Sequence, residues 1–234
     1  MAAGRSEAEP ELADAALTDL CRTYWAPLYS FVRSRGYNVH DAQDLTQSFF
    51  AFLIGERIYT RAERTRGKFR SFLLASLKNF LGHAYERERA AKRGGSFDFV
   101  NLDEARMEAA ESLFQTHFPG KETSQEDRVF ERSWAEAVVV AGLERLSAEQ
   151  GEGKAELFGR LKVFLTGSVN PLPTYDDLSV QLDLPASTLR SHVSRLRSRY
   201  RELLREEVRR TVNTDAEVDE ELRELFRVLV EEQT

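Results

Sequence analysis

The sequence predicts an all-α protein, two helical domains joined by a polar linker, the second containing a helix-turn-helix. Three observations lead there. Apolar residues recur three and four apart over most of the chain, the spacing of one buried helix face. No segment alternates convincingly with period two, as a half-buried strand would. Residues 95–125 keep no steady period and are rich in Gly, Pro, Ser and acids, which marks a connector.

Taken in order, residues 1–11 are acidic and polar and are expected to be disordered. The first domain, 12–94, holds three helices. The first covers 12–35, with Leu17, Leu20, Tyr24, Leu28, Phe31 and Val32 on one side and Pro27 as a kink or a start. The second runs from Val39 to Ile54, with Leu45, Phe49, Phe52 and Leu53 at helical spacing. The third runs from Lys68 to Arg93, with Phe69, Phe72, Leu73, Leu77, Phe80 and Leu81, and stops at Gly94-Gly95. The linker 95–125 has room for a short helix near 102–114.

In the second domain, 126–210, a helix from Val129 to Leu146 presents Phe130, Trp134, Val138 and Leu143, and Gly151 and Gly153 break it. Another covers 154–165, and GSVNPLP is a loop because two prolines and a glycine fall within seven residues. Residues 211–234 form an acidic amphipathic helix with Val218, Leu222, Leu225, Phe226 and Leu229 inside.

Between loop and tail lies TYDDLSVQLDLPASTLRSHVSRLRSRYREL. Thr174 suits an N-cap, and the two acids after it favour the helix dipole. Asp183 and Leu184 make a short turn, and Pro185 suits the first turn of the next helix. On that helix Leu189, Val193, Leu196, Tyr200, Leu203 and Leu204 share one arc, while Ser187, Thr188, Ser191, Ser194, Arg195, Ser198 and Arg199 lie opposite. Small hydroxyls let a helix approach the floor of a DNA groove, and arginines contact guanine and phosphate. The alternative for this segment is an ordinary antiparallel pair with a salt-bridged surface.

Composition sharpens this. The 234 residues carry a formal charge of −6, yet the bases are segregated. Arg57 to Arg93 holds eleven Lys/Arg against Glu63, Glu86 and Glu88, and Ala186 to Arg210 holds eight Arg against Glu202, Glu206 and Glu207. Two basic islands in an acidic chain suggest two contacts with a polyanion; solvated helix faces are the bland reading. The first island interleaves Phe69, Phe72, Phe80 and Tyr85 with Arg66, Lys68, Arg70, Lys78, Arg87 and Arg89. Stacking rings plus a cationic track is how unpaired nucleotides are held, although each phenylalanine alone is better read as core. Upstream, Asp41, Asp44 and Gln47 share a polar stripe three residues apart.

Together DAQDLTQSFFAFLI, FRSFLLASLKNFLGHAYERERAAKR and the helix-turn-helix stretch resemble bacterial RNA polymerase sigma factors of the extracytoplasmic-function type. The resemblance covers about residues 17–93 and 130–208. It implies a transcription initiation factor that joins core RNA polymerase and directs it to promoter DNA. Asp41, Asp44, Leu45, Gln47, Phe50 and Leu53 would grip the polymerase. Arg66, Lys68, Phe69, Arg70, Phe72, Lys78, Asn79, Arg87, Arg89 and Lys92 would bind and open the −10 element. Ser187, Thr188, Arg190, Ser191, Ser194, Arg195 and Arg199 would read the −35 element. The resemblance leaves room for an anti-sigma factor as a further partner. The chain departs from the pattern at Phe72, where tryptophan is common, at Asp183, where the turn usually carries glycine, and at Ser179, where a tightly packed alanine is usual. The acidic tail also lies outside the pattern; it either covers the basic face or packs on the second domain.

The competing reading is a stand-alone helix-turn-helix regulator. An enzyme is disfavoured: His40, His83, His117 and His192 are scattered, the single cysteine Cys21 forms no metal spacing with them, and there is no P-loop, GxSxG or dinucleotide fingerprint. No cofactor or metal is expected. The N-terminus does not read as a signal peptide and no apolar run spans a bilayer, so a cytoplasmic location is expected.

Overall fold

A computed structural model describes residues 8–55, 69–90, 104–118, 126–167, 171–212 and 214–230, with the backbone alone for 8–20, 55, 83–90 and 152. All regular elements among them are helices: α1 (Ala8–Ser34), α2 (Val39–Gly55), α3 (Phe69–Ala90), α4 (Glu104–His117), α5 (Glu126–Gln150), α6 (Ala155–Leu161), α7 (Val163–Thr166), α8 (Tyr175–Leu182), α9 (Ala186–Arg209) and α10 (Asp215–Val230). None of these helices is long and apolar enough to cross a membrane. The predicted extent 1–11, the stop at Gly94-Gly95 and residues 231–234 lie outside the described residues, apart from the start of α1.

The chain divides into two compact units, Met1–Ala137 with Arg223–Thr234, and Val138–Leu222. The division falls inside α5 and α10 rather than in the expected linker. The reason is that the polar stretch carries an ordered helix. On α4, Glu111 accepts hydrogen bonds from Tyr29 Oη at 2.5 Å and from Arg33 Nε and Nη2 at 2.9 Å each, all from α1. The Arg33 guanidinium also lies over the Phe114 ring, 5.0 Å from its centre. This helix is the one expected near 102–114; what polar composition hid is its attachment to α1, one charged fork plus two buried side chains, Ala110 and Phe114.

The first unit is built on rings. Tyr24, Trp25, Leu28, Tyr29, Phe31 and Val32 of α1, Phe49, Phe50 and Leu53 of α2, and Leu73, Leu74, Leu77 and Leu81 of α3 are buried. Trp25 stacks on Phe50 with centres 5.9 Å apart. Phe80 meets Phe49 and Phe52 at 5.6 and 5.4 Å, and Phe69 meets Tyr24 edge-on at 5.7 Å. Each such pair adds about 0.5–1.5 kcal/mol beyond burial. α1 continues through Pro27, which is buried, so the proline neither starts nor ends the helix. Ser30 meets Ser133 of α5 at 3.1 Å, and Lys78 of α3 pairs with Asp127 at 2.6 Å. Cys21 is 4% exposed, and burial pushes its thiol up to about 11, so it is a core residue without thiolate character near neutrality.

The second unit forms around α9. Its predicted arc is buried in full, and Glu207 and Val208 extend it. Gly142 of α5 gives α9 its close approach: a Cβ there would lie 2.9 Å from Leu204 Cδ2 and 3.2 Å from Tyr200 Cε2. Tyr200 Oη donates to the Val139 carbonyl at 3.0 Å, and Arg145 forks to Glu206 and Glu207 at 2.5 and 2.6 Å. α5 stops at Gly151, whose φ of 66° costs glycine nothing. The helix expected over 154–165 is instead a 3₁₀ turn followed by α6 and α7, interrupted at Lys162. On α10, whose residues from Arg223 on belong to the first unit, Val218 and Leu225 are buried as expected, but Phe226 is half exposed. The buried arc centres on Val218, Glu221 and Leu225, leaving Phe226 at its edge.

Two outcomes follow. Gly142→Val should lower unfolding free energy by about 1–3 kcal/mol through overpacking, measured by urea denaturation at constant m. Burial works against ionising Glu111, but the hydrogen bonds from Arg33, Tyr29 and Gln115 outweigh it and hold its carboxyl at about 2, below 4.5. A lowered folded value stabilises fully above the unfolded value and is lost as pH falls through the folded one. Stability should therefore decline between about pH 4.5 and 2, and Glu111→Gln should flatten that part of the melting-temperature profile.

Candidate nucleic-acid interface

α8 begins with Thr174, whose hydroxyl accepts the Asp177 N–H at 3.1 Å. Two acids in the first turn suit the helix dipole. α8 ends because Asp183 turns left-handed, φ 51° and ψ 42°, where glycine is usual. Aspartate tolerates that region better than most residues. The Ser179 carbonyl then accepts the N–H groups of both Asp183 and Leu184. Pro185 follows with φ −57° and ψ 137°, one position before α9 rather than within it. Its carbonyl accepts from Thr188 at 2.9 Å and Leu189 at 3.1 Å. A three-residue turn thus joins α8 to α9. Across the preceding loop, Phe164 stacks on Tyr175 with centres 4.8 Å apart and planes 4° from parallel.

With the stripe from Leu189 to Val208 buried, the opposite arc of α9 is fixed. Its centre is hydroxyl: Ser187, Ser191, Ser194 and Ser198 are exposed. Arginines line its two margins at helical spacing, Arg190, Arg197 and Arg201 on one and Arg195 and Arg199 on the other. Thr188 is half-buried beside that second margin. Among the described residues no carboxylate pairs with Arg190, Arg195, Arg197 or Arg201. Arg190 lies over the Tyr175 ring at 5.3 Å, Arg197 donates to the Phe164 carbonyl at 3.2 Å, and Arg195 meets His192 Nδ1 at 3.4 Å.

Arg199 differs from the sequence expectation. It donates to Glu149 at 2.6 and 2.8 Å and to Glu202 and Glu206 at 3.0 and 3.2 Å. Three carboxylates already answer its charge, and its hydrogen bond holds Glu149 below the usual carboxylate range. It belongs to the surface network of the second unit rather than to an open face. Glu202 and Glu206 are near in the sequence, but Glu149, which takes two of the hydrogen bonds, is fifty positions away and could not be read from it. Arg197 and Arg201, absent from the sequence-derived set, were legible from their spacing with Arg190.

On α2, Asp41 and Asp44 are exposed, and Leu45 and Gln47 are half-buried. Asp41 accepts from Asn38 Nδ2 at 2.6 Å, and its own N–H donates to Asn38 Oδ1 at 2.9 Å. Phe50 and Leu53 are fully buried and cannot touch a partner as expected; stacking on Trp25 holds Phe50 inside.

The first basic island changes most. Arg70 is 4% exposed, ion-paired with Glu131 and set over the Trp134 ring at 4.4 Å. It joins α3 to α5 and is not a surface cation. Phe69 and Phe72 lie against each other, and Phe69 against Tyr24, so both are half-buried packing residues. Lys78 is matched by Asp127, whereas Asn79 is exposed. Arg66, Lys68 and Lys92, and the side chains of Arg87 and Arg89, lie outside the described residues. No group of three or more His, Cys, Asp or Glu among the described residues could hold a metal ion.

No family model, no curated protein and no solved structure matches the chain.

Arg70→Met should cost about 1–3 kcal/mol of stability by leaving Glu131 without its ion-pair partner inside the first unit. Substitution of an open surface residue such as Asn79→Ala should stay within about 0.5 kcal/mol. Denaturant midpoints of the two variants check this.

Proposed function

We propose that the chain is a transcription initiation factor of the extracytoplasmic-function sigma type, which joins core RNA polymerase and brings it to promoter DNA. The observation that carries this reading is the exposed arc of α9: a floor of serines between Arg190, Arg197 and Arg201 on one margin and Arg195 on the other, four arginines that no described carboxylate pairs with, directly after a three-residue turn. Such an arc suits a helix lying in a major groove. Serines allow close approach, Arg190 and Arg195 can reach guanine O6 and N7 or a phosphate, and the start of α9 attracts phosphate through its free N–H groups. In this role α8 and α9 act as the helix-turn-helix of a −35 reading domain.

The first unit would carry the polymerase contact and the −10 contact. Asp41 and Asp44 are exposed on α2 and suit a basic partner helix, with Leu45 and Gln47 beside them. Contact with the −10 element falls to Asn79 and to the basic residues at both ends of α3, because Phe69, Phe72 and Arg70 are engaged within the unit. The chain's acidity fits the same role. Nonspecific attraction to DNA falls steeply with salt, by about 0.9 per phosphate contact on a log–log scale. A negative background weakens it further until polymerase supplies contacts of its own.

One observation favours the stand-alone regulator: burial of Phe50 and Leu53 removes two of the six expected polymerase contacts. Gel filtration with purified bacterial core RNA polymerase separates the readings. The chain should co-elute with core, and Asp44→Arg should weaken co-elution at least about tenfold, the cost of one like-charge contact. Absence of co-elution, together with tight binding to a two-fold symmetric DNA, would establish the regulator instead.

A further inference from the structure

We propose that the cleft between α6 and α9 binds a small amphipathic anion, an apolar ring or short chain bearing a phosphate or carboxylate. The cleft has a volume of about 210 Å³, below the roughly 300–1,000 Å³ of drug-sized ligand pockets, so its occupant is small. Its floor is apolar: Leu157, Phe158, Leu161 and Leu196 line it, and the last three are buried. Its rim is basic: Lys154, His192, Arg195 and Arg199 line it with Gln150, and among the described residues no carboxylate does. Arg199 is answered from outside by Glu149, Glu202 and Glu206. Lys154 and Arg195 also line it, and neither has such a partner among the described residues.

His192 reports on this field. An arginine can only donate, so the contact from Arg195 Nη2 makes His192 Nδ1 the acceptor and leaves the ring neutral. Burial first, and then the charges of Arg195 and Lys154, push the His192 pKa below its ordinary value. An apolar body would take its own surface out of water against this leucine and phenylalanine floor, which a bare anion cannot do. Its anionic group would neutralise Lys154 and Arg195, and His192 would then take a proton more readily. Because Arg195 also borders the exposed arc of α9, an occupied cleft withdraws one arginine from a nucleic acid. That consequence, unlike the site itself, rests on the proposed function.

The test uses the full chain without DNA or polymerase, so its outcome is separate from the fate of the sigma reading. The His192 ring proton is followed by NMR, assigned by its loss in His192→Asn, during titration with phenyl phosphate and, separately, inorganic phosphate. Phenyl phosphate should give a saturable shift at millimolar concentration and raise the His192 pKa. Inorganic phosphate should bind at least about tenfold more weakly, the worth of burying part of a ring. Lys154→Gln, at an exposed position, should keep the fold and weaken phenyl phosphate several-fold. No saturable shift, an equal response to both anions, or unchanged affinity in Lys154→Gln would each overturn the proposal.

Discussion

The second unit depends on one constraint, the burial of a single stripe along α9. Leu189, Val193, Leu196, Tyr200, Leu203, Leu204 and Val208 are all within a tenth of full burial. Fully burying a large apolar side chain is worth about 1.5–3 kcal/mol, so rotating the helix even part of a turn would forfeit several such terms. The rotation is therefore fixed, and with it the outward direction of Ser187, Ser191, Ser194 and Ser198. Gly142 permits the close approach of α5, and Tyr200 and Arg145 tie that helix to the polar edges of the stripe.

Charge is then divided along the same helix by which acids lie within reach. In the half after Arg199, Glu149, Glu202 and Glu206 hold Arg199, while Asp219 and Asp215 of α10 hold Arg205 and Arg209. In the half nearest the turn there is no acid on α9, and Arg190, Arg195 and Arg197 find rings, a histidine or a carbonyl instead. A formal charge of −6 for the whole chain thus coexists with a cationic segment that no described carboxylate pairs with. The acids of α10 pair with the far end of α9, so among the described residues these ion pairs leave the serine arc open.

The first unit uses its charges differently. Arg33 and Arg70 are inside it, each set over a ring and each paired with a carboxylate. A guanidinium suits this position because it is planar, stacks on aromatic faces and forks to carboxylates. The aromatic content that suggested a base-stacking surface is largely consumed by Trp25, Phe49, Phe50, Phe69, Phe72 and Phe80 meeting one another. What remains outward on α2 is acidic, at Asp41 and Asp44.

The sequence by itself determined the helical class, most helix positions, the Thr174 cap and the buried arc of α9. These follow from local rules: a period of three to four residues, and side chains that bond to backbone two or three positions away. It also showed that Asp183 stands where glycine is usual, and the left-handed turn there is a local property too. Only the tertiary structure decided which charges are available. Arg199 and Arg70 look like Arg190 and Arg195 in sequence, but Glu149 and Glu131 come from another helix, fifty and sixty-one positions away. For the same reason Phe50 and Leu53, expected to grip a partner, are core: both are fully buried, and Phe50 stacks on Trp25 of another helix. The cleft between α6 and α9 was likewise invisible, because periodicity tells which face of a helix is buried and not what gap two buried faces leave between them.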